Sequence, residues 1–262
     1  MPVAMFSIGE VRRLAKENRA IVGIGAAKAS TIIRKSMADA EKKGYARKVE
    51  AYSDAGALVS ALKDGAVDCA VRGSLGANDV LFEIKRQFGL RRVARAAVLD
   101  MPGKSSLTML APVGIDEGKS VEDRLEIAVL SSELIELFGS EPRLGILAGG
   151  RLEDTGRGAK VRKGLECGKD LLLRIRAQGI SASFFGIEIE SAAGTVNCII
   201  APDGVVGNFI FRSLHYLGGW DALGAPVLNL KSKAFIDTSR AKKEYVGAIA
   251  LAGAMAELNP RR

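Results

Sequence analysis

Short apolar runs alternate with helix-length amphipathic stretches along the whole chain, and this alternation limits its fold more than any other feature. Residues 20–25, Ala-Ile-Val-Gly-Ile-Gly, form an apolar run closed by glycine, and a helical stretch follows over about 28–43, stopping at Gly44. Residues 49–52 read as a second strand, Asp54 as the cap of a helix running to Lys63, and 69–71 as a third strand ahead of Arg72-Gly73-Ser74. A helix is expected over 78–88, then strands over 93–99 and 107–113, parted by the turn Pro102-Gly103-Lys104. Ser120-Val121-Glu122-Asp123 opens the strongest helix, with Leu125, Ile127, Ala128, Leu130, Leu134 and Leu137 at its apolar positions up to Gly139. Strands over 144–148, 180–189, 196–201, 226–230 and 234–236 then alternate with helices ending near 178 and over 203–217 and 239–258. Such an order predicts an α/β protein: a mainly parallel sheet between two helix layers, with ligand chemistry at the carboxyl ends of the strands.

Composition agrees with that class and removes others. With 48% hydrophobic and 26% charged residues the chain is globular, and 5% aromatics against 30 glycines suits close-packed strands and turns better than an aromatic-rich sandwich. No apolar stretch reaches the roughly 20 residues that cross a bilayer, and residues 1–9 lack a cationic flank ahead of a signal-type apolar region. No membrane partner is expected, and the chain reads as cytoplasmic. Cys69, Cys167 and Cys198 have no CxxC spacing and His215 is the single histidine, so no metal site and no Cys/His nucleophile pair is expected. Cys69 and Cys198 lie in apolar runs as small core residues, and His215, beside Leu214 and Leu217, reads as a packing residue.

The net charge of +8 favours an anionic partner. Basic residues are scattered with few aromatics between them, so no nucleic-acid partner is expected, and an anionic small molecule fits better. Four polar loops after strands could receive it. Residues 149–158, GGRLEDTGRG, offer Gly156, Arg157 and Gly158 at a helix entry, although a plain glycine-rich connection would look the same. Ile236-Asp237-Thr238-Ser239-Arg240 places two hydroxyls and a guanidinium where the last helix is expected, with an ordinary cap as the alternative. Arg72 and Ser74 stand in the third loop, and Asn208 follows Asp203, a candidate cap, in the fourth.

Several of these segments together resemble the phosphate acetyl/butyryl transferase superfamily, whose fold is like that of the isocitrate/isopropylmalate dehydrogenases. They are SVEDRLEIAVLSSELIELFGSEPRLGILA, DTGRGAKVRKG, IIAPDGVVGNFIFRSLHYLGGWDALGAPVLNL and AFIDTSR, in the family's order. The resemblance implies an outer domain from 1–102 and 227–262, a middle domain over 103–226, and a cleft between them. It also implies that Ser239 and Arg240 hold the acyl phosphate as catalytic residues; Thr238, Arg157, Gly156, Gly158, Arg72, Ser74 and Asn208 of the polar loops are the expected substrate-binding residues. Coenzyme A would be the co-substrate, no further cofactor is implied, and homodimers are common in the family. The pattern departs at two places: six residues after Arg240, where the family has the aspartate proposed as base, stands Val246, and Phe82 replaces a family arginine. In length and in its Arg72 and GGRLEDTGRG loops the chain is most similar to the methanogen MtxX-like, or methanogenesis marker, branch, whose label of methyltransferase subunit X implies methyltransferase partner subunits. Two functions therefore compete: a phosphotransacylase-like transferase, and a non-catalytic accessory subunit of a methyltransferase system.

Overall fold

The computed structural model describes residues 6–27, 30–230, 232–239 and 242–258, and the chain divides into two compact units. One consists of residues 8–93 and 223–262, and the other of 1–7 and 94–222.

The first unit contains α1 (Ile8–Asn18), β1 (Ile21–Gly25), α2 (Thr31–Lys42), β2 (Lys48–Tyr52), α3 (Ala55–Asp64), β3 (Cys69–Val71) and α4 (Ala77–Phe88). The second unit follows, with β4 (Ala97–Asp100), β5 (Leu107–Ala111), α5 (Val121–Leu137), β6 (Arg143–Leu147), α6 (Ala159–Ala177), β7 (Ser181–Gly186), α7 (Ile189–Ala192), β8 (Cys198–Ile200) and α8 (Gly204–Tyr216). The chain then returns to the first unit through β9 (Asp221–Pro226), β10 (Ala234–Asp237) and α9 (Val246–Leu258).

Strands of the first unit run in the order β2-β1-β3-β10-β9, parallel except for β9 against β10. The register Cys69↔Ala234, Ala70↔Phe235, Val71↔Ile236 brings the last strand of the chain beside β3. Alternation sends Ala70 and Phe235 into a cluster with Leu58, Val59 and Leu62 of α3 and Val80 and Ile84 of α4. Gly23 makes room there, since a Cβ would stand 3.0 Å from Leu58 Cδ1. The helices start where short polar side chains accept first-turn amides: Ser30 from Ile33 and Asp54 from Ala57.

The second unit pairs β4 antiparallel to β5, and β5-β8-β6-β7 continue in parallel. Ser120 caps α5 and Asp203 caps α8. Phe6 joins this core, with its ring 5.1 Å from that of Phe138 and its carbonyl accepting from Leu107 N–H at 2.8 Å. Helix α8 approaches on its glycines: a Cβ on Gly204 would lie 1.6 Å from the Gly114 oxygen, and one on Gly207 1.9 Å from the Pro112 oxygen. No helix among the described residues is long and apolar enough to cross a membrane.

The mainly parallel α/β architecture agrees with the sequence expectation, and four elements correct it in detail. Residues 8–18, given no element from sequence, form α1, whose fully buried Val11 and Ala15, one turn apart, seat it beside α9. The expected strand over 226–230 is instead β9, ending at Pro226, followed by a 3-10 turn over Leu228–Leu230. The strand expected to reach 189 stops at Gly186, which turns the chain with φ +59. The helix expected from 239 begins at Val246, whose N–H donates to the Glu244 carboxylate at 3.0 Å. Lys28 and Ala29, where α2 was expected to begin, and Arg240 and Ala241 lie outside the described residues.

Candidate functional site

Parallel pairing puts the carboxyl ends of β1, β3 and β10 on one edge of the first unit's sheet. The segments that follow them, 26–27, 72–75 and 238–239, are therefore neighbours, and backbone contact locks them together. A Cβ on Gly25 would stand 2.2 Å from the Arg72 oxygen, and one on Gly73 1.9 Å from the Gly25 oxygen. Gly73 also has φ +60, so glycine is required there twice over. Ser74 N–H donates to the Gly25 oxygen at 3.0 Å, while Ser74 Oγ accepts from Ala27 N–H at 3.1 Å.

Arg72 is the centre of this edge. Its side chain is 7% exposed and forms an ion pair with Asp237 through Nε, and Nη1 donates to the Leu75 oxygen at 2.7 Å. Asp237 Oδ1 also accepts from Thr238 N–H at 2.8 Å, and the buried Thr238 hydroxyl donates to the Gly73 oxygen at 3.1 Å. The cap reading of Asp237 thus gives way to a different role: it binds the neighbouring strand's arginine. Tyr245 is buried close by, and that burial pushes its phenol above the ordinary range while the Arg72 charge pulls the other way. Ser239 follows, half-buried, with its carbonyl accepting from Lys242 N–H at 3.3 Å. Arg72, Ser74, Thr238 and Ser239 are thereby brought together, with Arg240 outside the described residues.

The remaining candidates belong to the second unit. Residues Leu152–Arg157 form a 3-10 turn ahead of α6, and Gly158 at its end has φ +145. Arg157 is solvent-exposed and reaches Asp154 at 3.1 Å, an exposed pair of small energetic weight. Gly156 has open space around its Cα. Asn208, on α8, donates through Nδ2 to the Val113 oxygen at 2.9 Å and so fixes the loop after β5. In that loop Glu117 is buried against Arg95, with Oε1 accepting from Arg95 Nε at 2.6 Å and Oε2 from Gly114 N–H at 3.1 Å. Burial raises the Glu117 carboxyl above its usual range, and the Arg95 charge and the backbone donors Gly114 N–H and Arg95 N–H, the latter at 3.2 Å, counter only part of this. Sequence reading missed this pair because its members lie 22 residues apart with no motif between them. His215 donates through Nδ1–H to the Trp220 carbonyl oxygen at 2.9 Å and stacks on Phe211, as a packing residue does.

No family model matches the chain. It is 43% identical over 196 residues to "Putative methyltransferase mtx subunit X" of Methanosarcina barkeri, covering 75% of this chain and 72% of that protein. The chain belongs to the mtx subunit X family. A relative in Methanopyrus kandleri, named as an uncharacterized methyltransferase, is 34% identical over 213 residues, which cover 79% of this chain and 82% of its own length. Among solved structures, the branched-chain phosphotransacylase of Enterococcus faecalis superposes with a TM-score of 0.71 at 15% identity, covering 90% of this chain and 99% of that one. The phosphotransacetylase EutD of Staphylococcus aureus gives 0.65 at 14%, covering 95% and 99%. A beta-decarboxylating dehydrogenase of Thermococcus kodakarensis gives 0.51 at 9%, covering 90% and 81%. At these identities the likeness is one of fold. The phosphotransacylase fold and the methanogen branch expected from sequence are both borne out.

Proposed function

We propose that this mtx subunit X family member is a phosphotransacylase-like transferase that binds an acyl phosphate or another phosphorylated small molecule. The observation that carries the reading is the locked edge at the carboxyl ends of β1, β3 and β10, which presents the hydroxyl-bearing segment 238–239 beside the buried Arg72–Asp237 pair. Ser239 and Arg240 are the proposed catalytic residues: a hydroxyl and a guanidinium stabilise the negative charge that builds on an acyl or phosphoryl oxygen during transfer. Arg72, Ser74 and Thr238 in one unit, and Gly156, Arg157, Gly158 and Asn208 in the other, are the proposed substrate-binding residues. Coenzyme A is the proposed acceptor. A thiol of reference pKa near 8.5 is only a few per cent ionised at neutral pH, so transfer to it needs a base. Glu244 is the carboxylate nearest in sequence to Val246, and it is engaged with the first amide of α9.

Calorimetric titration of phosphate, acetyl phosphate, butyryl phosphate and coenzyme A into wild type and Arg240→Ala tests the reading. Binding to the wild type that Arg240→Ala abolishes with its melting temperature unchanged supports it, and equal affinity of the two proteins for each anion bound refutes it.

A second reading, an accessory subunit of a methanogen methyltransferase, is favoured by Val246, an apolar and largely buried residue where a base is needed. The word subunit in the relatives' name supports it too. Co-purification with a methyltransferase and no turnover of acyl phosphates would select it, and coenzyme-A-dependent turnover would exclude it. Cytoplasmic location and a homodimer complete the proposal.

A further inference from the structure

The pairing that sets the candidate site at the carboxyl ends of β1, β3 and β10 leaves the amino ends of β1 and β2 on the opposite edge of the same sheet, with Ile21 beside Lys48. There the last turns of α1 and α2 and the links into β1 and β2 surround a solvent-open cavity of about 460 Å³. Five cations line it, Lys16, Arg19, Lys42, Lys43 and Arg47, against one carboxylate, Glu41. Glu41 Oε1 is already engaged, accepting from Val49 N–H at 2.7 Å. Acidic neighbours in sequence serve other cations: Glu17 holds Arg13 at 2.6 Å, and Glu50 holds Lys48 at 2.7 Å. None of the five lining cations forms an ion pair among the described residues.

The frame beneath these charges is fixed. Arg47 N–H donates to the Ala20 oxygen at 2.9 Å, which ties one link to the other, and α9 lies so close that a Cβ on Gly253 would stand 2.7 Å from the Tyr45 oxygen. Lys16 Nζ stands 5.9 Å from the centre of the buried Tyr45 ring. Lys42 and Lys43, at the end of α2, answer the helix dipole as cations there commonly do. Arg47 lies beyond that helix and has no such task. Arg19 has φ +47, and it is the one non-glycine with positive φ among the described residues, in a conformation that glycine adopts at lower cost.

We propose that this cavity binds a small molecule carrying a diphosphate or triphosphate group, at a site separate from the transfer site on the other edge. Its excess of positive charge is more than one carboxylate or one phosphate neutralises, and a linear polyphosphate matches it. The volume is that of a small-ligand site. No aromatic ring among the described residues lines it, so bases of a single-stranded nucleic acid have nothing to stack on.

Calorimetric titration at low ionic strength tests the site with inorganic triphosphate, pyrophosphate, sulfate and a duplex oligonucleotide. The proteins are wild type, Arg240→Ala, Arg19→Gln/Arg47→Gln and a control of equal charge in the second unit, Lys104→Gln/Lys169→Gln. The four side chains changed in the double variants are exposed, so the folds should be kept. Triphosphate should bind wild type, Arg240→Ala and the control alike and more tightly than sulfate, and Arg19→Gln/Arg47→Gln at least about tenfold more weakly. The same loss in Arg19→Gly/Arg47→Gln, where glycine suits the turn, ties the effect to charge. Pyrophosphate binding as tight as that of triphosphate supports the site and sets its ligand at two phosphates. Loss of binding in Arg240→Ala alone would place the anion at the transfer site and overturn the proposal while sparing that reading. Equal weakening in the control, equal affinity for sulfate, or no binding of either polyphosphate also overturns it. Binding of the oligonucleotide without the polyphosphates would give the face to nucleic acid instead.

Discussion

Arg72 and Asp237 lie 165 residues apart in sequence and form a buried ion pair, because the chain's last strand pairs in parallel with β3 and ends beside it. Removing either partner leaves the other charged and enclosed. Arg72→Met and Asp237→Asn should each destabilise the protein by about 3–5 kcal/mol, and the double variant by clearly less than their sum. Urea unfolding of the four proteins measures the coupling. Additive losses would mean that the pair has no energetic reality.

Glu117 should give the protein a pH-dependent stability of definite sign. Its folded carboxyl is raised above its unfolded value, so the folded chain holds the proton to higher pH. The contribution is full below the ordinary carboxylate value and is lost as pH climbs through the raised one. Unfolding free energy of the wild type, measured from pH 4 upward, should therefore fall relative to Glu117→Gln, which has no proton to lose. A gap that widens in the other direction would reverse the assignment.

Glycines of the second unit should differ sharply in tolerance. Gly204→Ala drives a methyl into the Gly114 carbonyl, with 1.6 Å available, and should cost upward of about 3 kcal/mol. Gly156→Ala meets nothing within 4 Å and should stay within about 0.5 kcal/mol of the wild type. Melting both variants checks the contrast, and an equal effect would contradict the packing of α8.

Thiol labelling should single out one cysteine. Burial pushes Cys69 far above the usual thiol range and Cys198 up to about 12, whereas Cys167 is partly exposed. Iodoacetamide at pH 8 followed by peptide mass analysis should find Cys167 modified in the native protein, and the other two only after denaturation. Labelling of Cys69 at the native rate would show that the first unit opens readily.

Much of this architecture was legible because local chemistry marks it. Ser120, Asp54 and Asp203 announced their helices by capping them, and glycine closed β1 where it packs against the Arg72 loop. Helix α1 was missed although Ile8, Val11, Leu14 and Ala15 recur at helical spacing in IGEVRRLAKEN, because the stripe is short and set among charged residues; its seat on α9 also draws on Asn18, which donates to the Gly253 and Ala254 carbonyls. Strand β9 hid in GGWDALGAP, where glycine and proline read as a loop and pairing makes the strand, Ala225 with Asp237 and Pro226 with Ile236. The polar loops of the site could be found as loops, yet Arg72 with Asp237 and Arg95 with Glu117 depend on topology. Strand order decides which distant charges meet, and spacing along the chain carries no trace of it.

The strand made last in synthesis is one that the first unit needs in its middle. β10 enters between β3 and β9, carrying Asp237 and Thr238 with it, after the whole second unit has been made. Until then β3 is an open edge, and Arg72 has no counter-charge from that strand. A growing chain can complete the second unit while the first still waits, so the order of assembly on the ribosome is written into the strand order. A shortened chain that stops before residue 234 keeps the contacts of Ser74 with Gly25 and Ala27 but has neither Asp237 for Arg72 nor the hydroxyls of Thr238 and Ser239, so it holds only half of the candidate site.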